Sequence, residues 1–528
     1  MKNLLTILIF CVSFFSCDQL FTNTEGNDSN EKVLGVKEAK PSKISFKNYL
    51  QINAFEWDFV SDKAENIDER QFDAIKTFSG IRHYLNWDKI EPVEGKYSFS
   101  PNHAGGWDYD LIYSRLKEAG MDVLVDVKSC PPWLINTYPA DKRNAENVPA
   151  PYGLDRSNPA SYVKQGRMAF QLAARYGSNR KIQKNLVQID TLPRWTGDRP
   201  NIAQIGMDLI KYIECDNERD KWWFGPQASQ TAEEYAANMS AFYDGHKGKL
   251  GKNVGVKTGD PRMVVVMGGL STPDVKFVLK MIAWCKKNRG FKSNGKVDLC
   301  FDVINYHIYS DNASENDGKS TVGVAPERSN IANIADQFLE MSRESAYNLP
   351  VWVTETGFDV GQTPERAIPI GKKSPFITQA DWNLRTSLLY SRRGIAKSIF
   401  YMLKDVDINS TIQFTSSGFL NADFTRRPTA DFILQARKVI GDYCYQRTIS
   451  TSPFVDLYQL NNKQIYVLWN PTQKGLVTSY ELNIGRIKQA KIHELQIGKS
   501  NTLKRIVNAN NGKLKIEVSE TPIFVELL

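Results

Sequence analysis

Histidine and cysteine are both scarce in this chain, five and seven in 528 residues. No Cys-x-x-Cys pair or Cys/His ligand spacing occurs, which argues against zinc. The few histidines are not clustered, which argues against a metal-dependent hydrolase. No metal or other cofactor is therefore expected. A glycine-rich phosphate turn is also missing: neither Gly-x-Gly-x-x-Gly nor Gly-x-x-x-x-Gly-Lys-Ser/Thr appears, so a nucleotide-binding doubly wound sheet lacks its signature. The net charge of +8 is thinly spread with no dense basic block, and nucleic acid is not an expected partner. No internal repeat and no apolar run of transmembrane length is found.

Residues 1–17, "MKNLLTILIFCVSFFSC", hold Lys2, an apolar run from Leu4 to Phe15, and then Ser16-Cys17. The run is too short to span a bilayer and has the layout of a secretory signal. Its ending resembles a bacterial lipoprotein signal. That resemblance implies cleavage before Cys17, lipid on that cysteine and a membrane anchor; an ordinary cleaved signal is the alternative. Residues 18–43 are polar, nearly free of aromatics, and read as a flexible tether. The remaining cysteines, Cys130, Cys215, Cys285, Cys300 and Cys444, sit mostly within apolar runs. They read as mainly buried thiols, with one disulfide left open.

Between residues 44 and 440, eight short apolar runs alternate with longer segments: 49–57, 81–87, 121–127, 209–215, 263–269, 301–309, 351–357 and 397–403. The intervening segments have helical spacing. Ile331, Ile334, Ala335 and Phe338 fall on one face, as do Val275, Val278, Leu279 and Ile282. Eight strands alternating with helices predict an α/β fold, a closed (β/α)8 TIM barrel. Over residues 441–528 the pattern changes to seven short runs separated by Asn, Gly and Pro turns, with Asn510-Asn511-Gly512 as a hairpin signal. This predicts a C-terminal all-β sandwich domain.

In a barrel of this type, chemistry collects where strands end and loops begin. The stretch "YIECDNERDKWW" (212–223) places Asp216, Asn217, Glu218, Arg219 and Asp220 directly after the fourth run. A second carboxylate, Glu355, ends the seventh run in "VWVTETGFD". Two carboxylates across a sugar-sized gap suit glycosidic cleavage, one protonating the leaving group and one attacking carbon. Each alone would read as an ordinary loop residue. In "NYHIYS", His307 and Tyr309 lie two apart and share a strand face. Tyr309 is expected to hold Glu355 ionised, and His307 to bond Glu218 or the substrate. Alone, His307 would read as a structural histidine.

These residues resemble the clan A retaining glycoside hydrolases. Asn217-Glu218 is similar to the Asn-Glu pair that ends strand four in that clan, and Thr354-Glu355-Thr356-Gly357 to its strand-seven carboxylate. His307-x-Tyr309 is similar to a His-x-Tyr common in family 5. "WDKIEPVEGKYSF" looks like a Trp-x-x-Ile-Glu-Pro motif of several members, and "CPPWL" with Trp133 is similar to families 30 and 39. The resemblance implies Glu218 as acid/base, Glu355 as nucleophile, and Asn217 as a partner of the sugar 2-hydroxyl. Arg82, taken as ending strand two, is a candidate partner of the nucleophile or of a sugar hydroxyl. Trp133, Trp222 and Tyr401 are candidate stacking walls, each equally readable as plain packing. The chain departs from the clan at Arg219, where proline often follows, and on strand eight, where Tyr401 stands for a tryptophan. An insert at 185–208, with Trp195, is a candidate subsite wall.

The expected function is a retaining glycoside hydrolase acting on β-linked polysaccharide or its oligosaccharides. It is expected to be exported, lipid-anchored and monomeric, on the outer membrane facing the exterior or the periplasm. A non-catalytic carbohydrate-binding surface lipoprotein on the same barrel is the alternative. "DVDIN" (405–409) is a weak calcium-like loop without the glycine and terminal glutamate of an EF-hand.

Overall fold

The computed structural model describes residues 41–60, 66–100, 107–193, 201–313 and 321–528. The signal-like segment, Cys17, nearly all of the tether and Trp195 lie outside them. Eight parallel strands form one sheet: β1 (Gln51–Asn53), β2 (Gly80–Asn86), β3 (Asp122–Lys128), β4 (Tyr212–Cys215), β5 (Val264–Met267), β6 (Ile304–His307), β7 (Val351–Glu355) and β8 (Lys397–Phe400). Their order is β5-β4-β3-β2-β1-β8-β7-β6. Parallel bridges Val266–Val303 and Leu270–Tyr306 bring the two edges together and close the barrel. One strand lies in or across each of the eight apolar runs, and a helix of at least seven residues follows each strand.

The helices start and stop on local chemistry. The one after β4, Ala232–Asp244, opens with Thr231 and Glu234 in a reciprocal capping box and ends at Gly245, whose φ of +63° suits glycine. Ile331–Ser345 buries Ile331, Ala335 and Phe338, as its spacing predicts. Val275–Asn288 corrects its predicted face. Val278, Met281, Ile282 and Cys285 are buried and Val275 packs against the core, while Leu279 is 39% exposed, so Leu279 alone leaves the predicted face.

Two layers fill the barrel. Inward positions near the strand starts hold an apolar plug of Leu124, Val266, Val303, Trp352 and Ile399. Two residues further along several strands the interior turns polar: Asn53, Arg82, Asp126, Glu214, Asn305 and Thr354 are all fully buried. Because side chains alternate along a strand, this layer shares the face of the plug and lies nearer the loops.

Residues beyond Ile440 form β9 (Cys444–Thr451), β10 (Phe454–Leu460), β11 (Lys463–Trp469), β12 (Thr478–Asn483), β13 (Gln489–Glu494), β14 (Leu503–Asn508), β15 (Lys513–Val518) and β16 (Ile523–Leu527). An antiparallel sheet, β14-β13-β16-β11-β10-β9, and a β12-β15 pair enclose a core of Val455, Leu457, Leu468, Leu482, Leu514, Ile516 and Val525. β9 is absent from the seven predicted runs because polar residues fill one face of it. Asn511 and Gly512 do adopt the positive φ values of a tight turn, +51° and +75°. The flanking strands do not pair with each other, however: β14 joins β13 and β15 joins β12. The turn is local chemistry, whereas the choice of partner is tertiary.

The β-domain is bolted to the barrel by buried charge. Arg385 pairs with Glu327 and donates to the Thr472 carbonyl, while Trp469 Nε1 donates to Glu327 Oε1 at 2.7 Å. Arg392 pairs with Asp456 at 2.8 Å and lies over the Phe454 ring. The five described cysteines are free thiols, four of them buried, with Cys285 and Cys300 Sγ atoms 3.4 Å apart. Among the described residues no helix is long and apolar enough to cross a membrane.

Candidate active site

Parallel strands deliver their last residues to one rim. Glu355 ends β7, His307 ends β6, and Glu218 follows β4 by three residues. One carboxylate oxygen of each glutamate and a ring nitrogen of His307 lie within 4.8 Å of one another. The β6–β7 register runs Tyr306–Val353 and then His307–Glu355, skipping Thr354. This irregularity re-aims side chains, as β-bulges do. It lets Thr354 and Glu355, adjacent in the chain, both reach the site.

Glu355 is buried and densely bonded. Its Oε1 accepts from Arg82 Nη1 and from the Tyr84 hydroxyl, both at 2.6 Å. Tyr309 donates to Oε2 at a longer 3.4 Å. Burial would raise this carboxyl, but the charges of His307 and Arg82 and the bond from Tyr84 outweigh it and hold it below its ordinary value. An ionised, oriented carboxylate results.

Glu218 is differently placed. Its backbone sits at φ +51°, and its N–H donates to the Gly269 carbonyl. Its side chain is 21% exposed, against 8% for Glu355. His307 Nδ1 stands 2.8 Å from Glu218 Oε1 and 3.7 Å from Glu355 Oε2, while Nε2 meets Thr354 Oγ1 at 3.0 Å. Facing two carboxylates, Nδ1 is placed to donate to Glu218 when the ring is charged. Burial opposes a charged ring, yet Glu355 and Glu218 together shift it upward from its ordinary value.

Arg82 lies inside β2, not at its end, and is wholly buried, so a sugar hydroxyl is out of its reach. Its guanidinium joins the polar layer. It donates to both oxygens of Glu214, and to Asp126, Asn53, Asn217 and Glu355. Burial, then the nearby Glu214, pushes the Asp126 carboxyl up, against the pull of Arg82 2.9 Å away. With Oδ1 of Asn217 committed to Arg82 at 2.8 Å, only its amide NH2 remains for a ligand.

The aromatic candidates separate. Tyr401 is at the site, edge-on to Phe55 and Phe414. Trp222 is 58% exposed in a short turn, Trp222–Phe224, four residues after Glu218. Trp133 is engaged in packing: it is edge-on to Trp87, and its Nε1 donates to the Glu91 carbonyl. The Trp-x-x-Ile-Glu-Pro stretch is itself a folded turn, Trp87 Nε1 bonding Glu91 and Glu91 bonding the Gly95 N–H. The described part of the 185–208 insert bonds Tyr97 and the helix Val163–Tyr176, through Asp190, Asn201, Gln188 and Leu186. Asp405 of the calcium-like loop is taken by Arg427 and the Gly418 N–H.

The charged cluster after β4 is only partly catalytic in position. Asp216 and Arg219 form a buried ion pair, and Asp220 accepts the N–H groups of Ser271 and Thr272. Sequence reasoning missed Tyr84, whose signal is its place two residues after Arg82 on the same strand face. It missed Asp126 and Glu214, charges inside apolar strands. It also missed Gly269: a Cβ there would stand 2.0 Å from His307 Nε2, so the ring needs that glycine. Phe55, Trp57 and Phe414 were missed as well, an aromatic rim around Tyr84, Tyr309 and Tyr401.

Among the described residues, Glu218, His307 and Glu355 are those whose donor atoms cluster as metal ligands would. The set is poorly suited to a cation, because Arg82 already places a positive charge 2.6 Å from Glu355.

A family model described as glycoside hydrolase family 42, β-galactosidase, matches residues 60–191, a span that contains neither Glu218 nor Glu355. Among curated proteins none matches the chain. Solved structures share the fold. A family 39 glycoside hydrolase from the gut symbiont Bacteroides cellulosilyticus WH2 is 17% identical with a TM-score of 0.60, over 91% of this chain and 82% of that one. A GH30 endoxylanase from Clostridium papyrosolvens C71 is 13% identical (TM-score 0.51, 93% and 97% covered). An α-L-arabinofuranosidase from Thermotoga maritima is 10% identical (TM-score 0.52, 93% and 98% covered). What these neighbours share with the chain is a (β/α)8 barrel carrying a C-terminal β-domain.

Proposed function

We propose that the protein is a retaining glycoside hydrolase that cleaves β-glycosidic bonds in a polysaccharide or its oligosaccharides. The observation that carries this reading is the unequal carboxylate pair: two glutamates with oxygens within 4.8 Å, one ionised on Arg82 and Tyr84, the other more exposed beside His307. Retaining enzymes hold their carboxyl groups about 5–5.5 Å apart, whereas inverting ones need roughly 6.5–9.5 Å to admit a water. Nearest oxygens within 4.8 Å are compatible with attack by Glu355 itself, and the bonds that hold Glu355 ionised support it in that role. The family model described as β-galactosidase and the glycosidase neighbours support the coarser reading, cleavage of a glycosidic bond.

In the proposed reaction, Glu355 attacks the anomeric carbon while Glu218 protonates the departing oxygen, leaving the sugar esterified to Glu355. Glu218, now ionised, then takes a proton from water, which attacks the same carbon and frees Glu355. The Asn217 amide donates to the hydroxyl beside the anomeric carbon, where charge develops in the transition state. His307 donates to Glu218 and holds it in line. A carbohydrate-binding protein without turnover would have no need of a buried arginine that keeps Glu355 ionised.

The test is a screen of purified protein against β-linked polysaccharides and aryl β-glycosides, with Glu355→Gln as control. Hydrolysis lost in the control supports the reading; glycan binding without hydrolysis by either protein overturns it. The leader supports export and anchoring through Cys17. Palmitate labelling abolished by Cys17→Ser is the expected result, and unchanged labelling would reject the anchor.

A further inference from the structure

The acid/base segment is left without the proline that follows Asn-Glu in the resembling clan, and its backbone is unusual. Asp216 and Glu218, neither of them glycine, both sit at positive φ, +68° and +51°. Such a conformation persists only where the surroundings over-determine it. Two of its supports are plain: the Glu218 N–H bonds the Gly269 carbonyl, and the Lys221 N–H closes back on the Glu218 carbonyl. The third lies in a different loop.

Glu146 belongs to the long segment between β3 and the helix Val163–Tyr176. Its Oε2 meets Lys221 Nζ at 2.5 Å and its Oε1 meets Lys128 Nζ at 3.2 Å. Its carbonyl accepts from Arg219 Nη1 at 2.9 Å, and the same guanidinium pairs with Asp216 and donates to the Ala228 carbonyl. One acidic residue is thus surrounded by three cations, two of them one and three residues after Glu218. Lys221 and Arg219 are almost wholly buried. Burial alone would raise the Glu146 carboxyl; Lys128 and Lys221 outweigh it and hold it well below the usual carboxylate range. Backbone bonds from Cys130 to Ala145 and from Val148 to Gln227 continue the seam on either side of Glu146. Lys128 also lies 4.6 Å from the ring centre of Tyr84, the partner of Glu355.

We propose that Glu146 is a positioning residue for the acid/base carboxylate, holding the Glu218 segment in its left-handed conformation through Lys221 and Arg219. This rests on the reading of Glu218 as the proton donor. Without the Glu146 charge, Lys128 and Lys221 lose their shared partner and repel one another beside that segment, and Glu218 loses its line to the leaving oxygen. Glu355, held by Arg82 and Tyr84, is unaffected.

A mispositioned acid has a kinetic signature that a merely loosened fold lacks. A dinitrophenyl leaving group departs without protonation, whereas a phenyl group needs it. The aryl β-glycoside that wild-type protein hydrolyses fastest is therefore made with both leaving groups, and kcat/KM is measured for wild type, Glu146→Gln, Lys221→Met and Glu218→Ala. Glu146→Gln is expected to lose about tenfold to a hundredfold on the phenyl substrate and under about threefold on the dinitrophenyl one, with Lys221→Met following the same pattern. Lys221→Met answers alone if Glu146→Gln does not fold. Equal losses on both substrates, or no loss in either variant, overturn the positioning role while Glu218→Ala still shows the leaving-group signature. If Glu218→Ala itself lacks that signature, the proton-donor reading falls and the Glu146 proposal falls with it.

Discussion

The Tyr84 hydroxyl donates to Oε1 of Glu355 at 2.6 Å, sharing that oxygen with Arg82, while Tyr309 stands off the other oxygen at 3.4 Å. The tyrosine that best supports the carboxylate therefore comes from β2, not from the strand-six pattern. A hydrogen bond to a charged group contributes roughly 1.5–3 kcal/mol. Tyr84→Phe should accordingly lower kcat/KM by roughly 10-fold to 100-fold, with Tyr309→Phe less damaging. Steady-state kinetics on the two variants check the order.

The same bond sets a pH prediction. The Glu355 carboxyl lies below its ordinary 4.5, because His307, Arg82 and Tyr84 outweigh burial. Its ionised form survives into acid, so the acid limb of kcat/KM should have its midpoint below 4.5, and Tyr84→Phe should move that limb upward. The stability that Glu355 contributes is present above its unfolded value and is lost as pH falls through the lower folded one. An acid-limb midpoint above 5 in wild type would contradict this account.

His307 works with the opposite sign. Glu355 and Glu218 raise the ring despite burial, so its stabilising contribution is complete below the unfolded value of about 6.5 and fades as pH rises through the higher folded one. Ring proton chemical shifts should report a midpoint above about 6.5 in wild type, and a lower one in Glu218→Gln.

Gly269 leaves the room that His307 occupies. Gly269→Ala would set a Cβ 2.0 Å from Nε2, and the ring must move. Activity should fall by about tenfold or more, while overpacking costs roughly 1–3 kcal/mol of stability. Activity near wild type would mean that the His307–Glu218 bond is dispensable.

Arg385 reaches from a barrel helix to Glu327 and the Thr472 carbonyl, next to Trp469. Removing one member of such a buried pair costs roughly 3–5 kcal/mol. Arg385→Met should lower unfolding stability by about that amount, in one transition that takes barrel and β-domain together. Two separated transitions in wild type would contradict a rigid junction.

Periodicity sufficed for the barrel, because eight buried parallel strands must read as eight apolar runs. Glu218, Glu355 and His307 were legible because strand ends of a barrel share one rim. The polar layer was not: Asn53, Glu214 and Asn305 mean nothing alone, and only Arg82, reaching six neighbours, with Asn305 joined through Glu214, makes them one network. Thr354 and Glu355 acting side by side depends on an irregular β6–β7 register that no pattern of residue types encodes. Glu146 was hidden for a similar reason, since ion pairs between long loops leave no spacing to read. Trp133 shows the reverse: a residue prominent by resemblance is held by Trp87 and the Glu91 carbonyl in a packed corner.

The central claim is that Glu355 becomes covalently bonded to sugar. Dinitrophenyl β-glycosides fluorinated at the carbon beside the anomeric centre form the glycosyl-enzyme but release it slowly. Intact-mass measurement followed by peptide mapping should find one fluoro-sugar per chain, on the peptide bearing Glu355, and none in Glu355→Gln. A label on Glu218, or turnover of the natural bond with inversion and no label anywhere, would contradict the account.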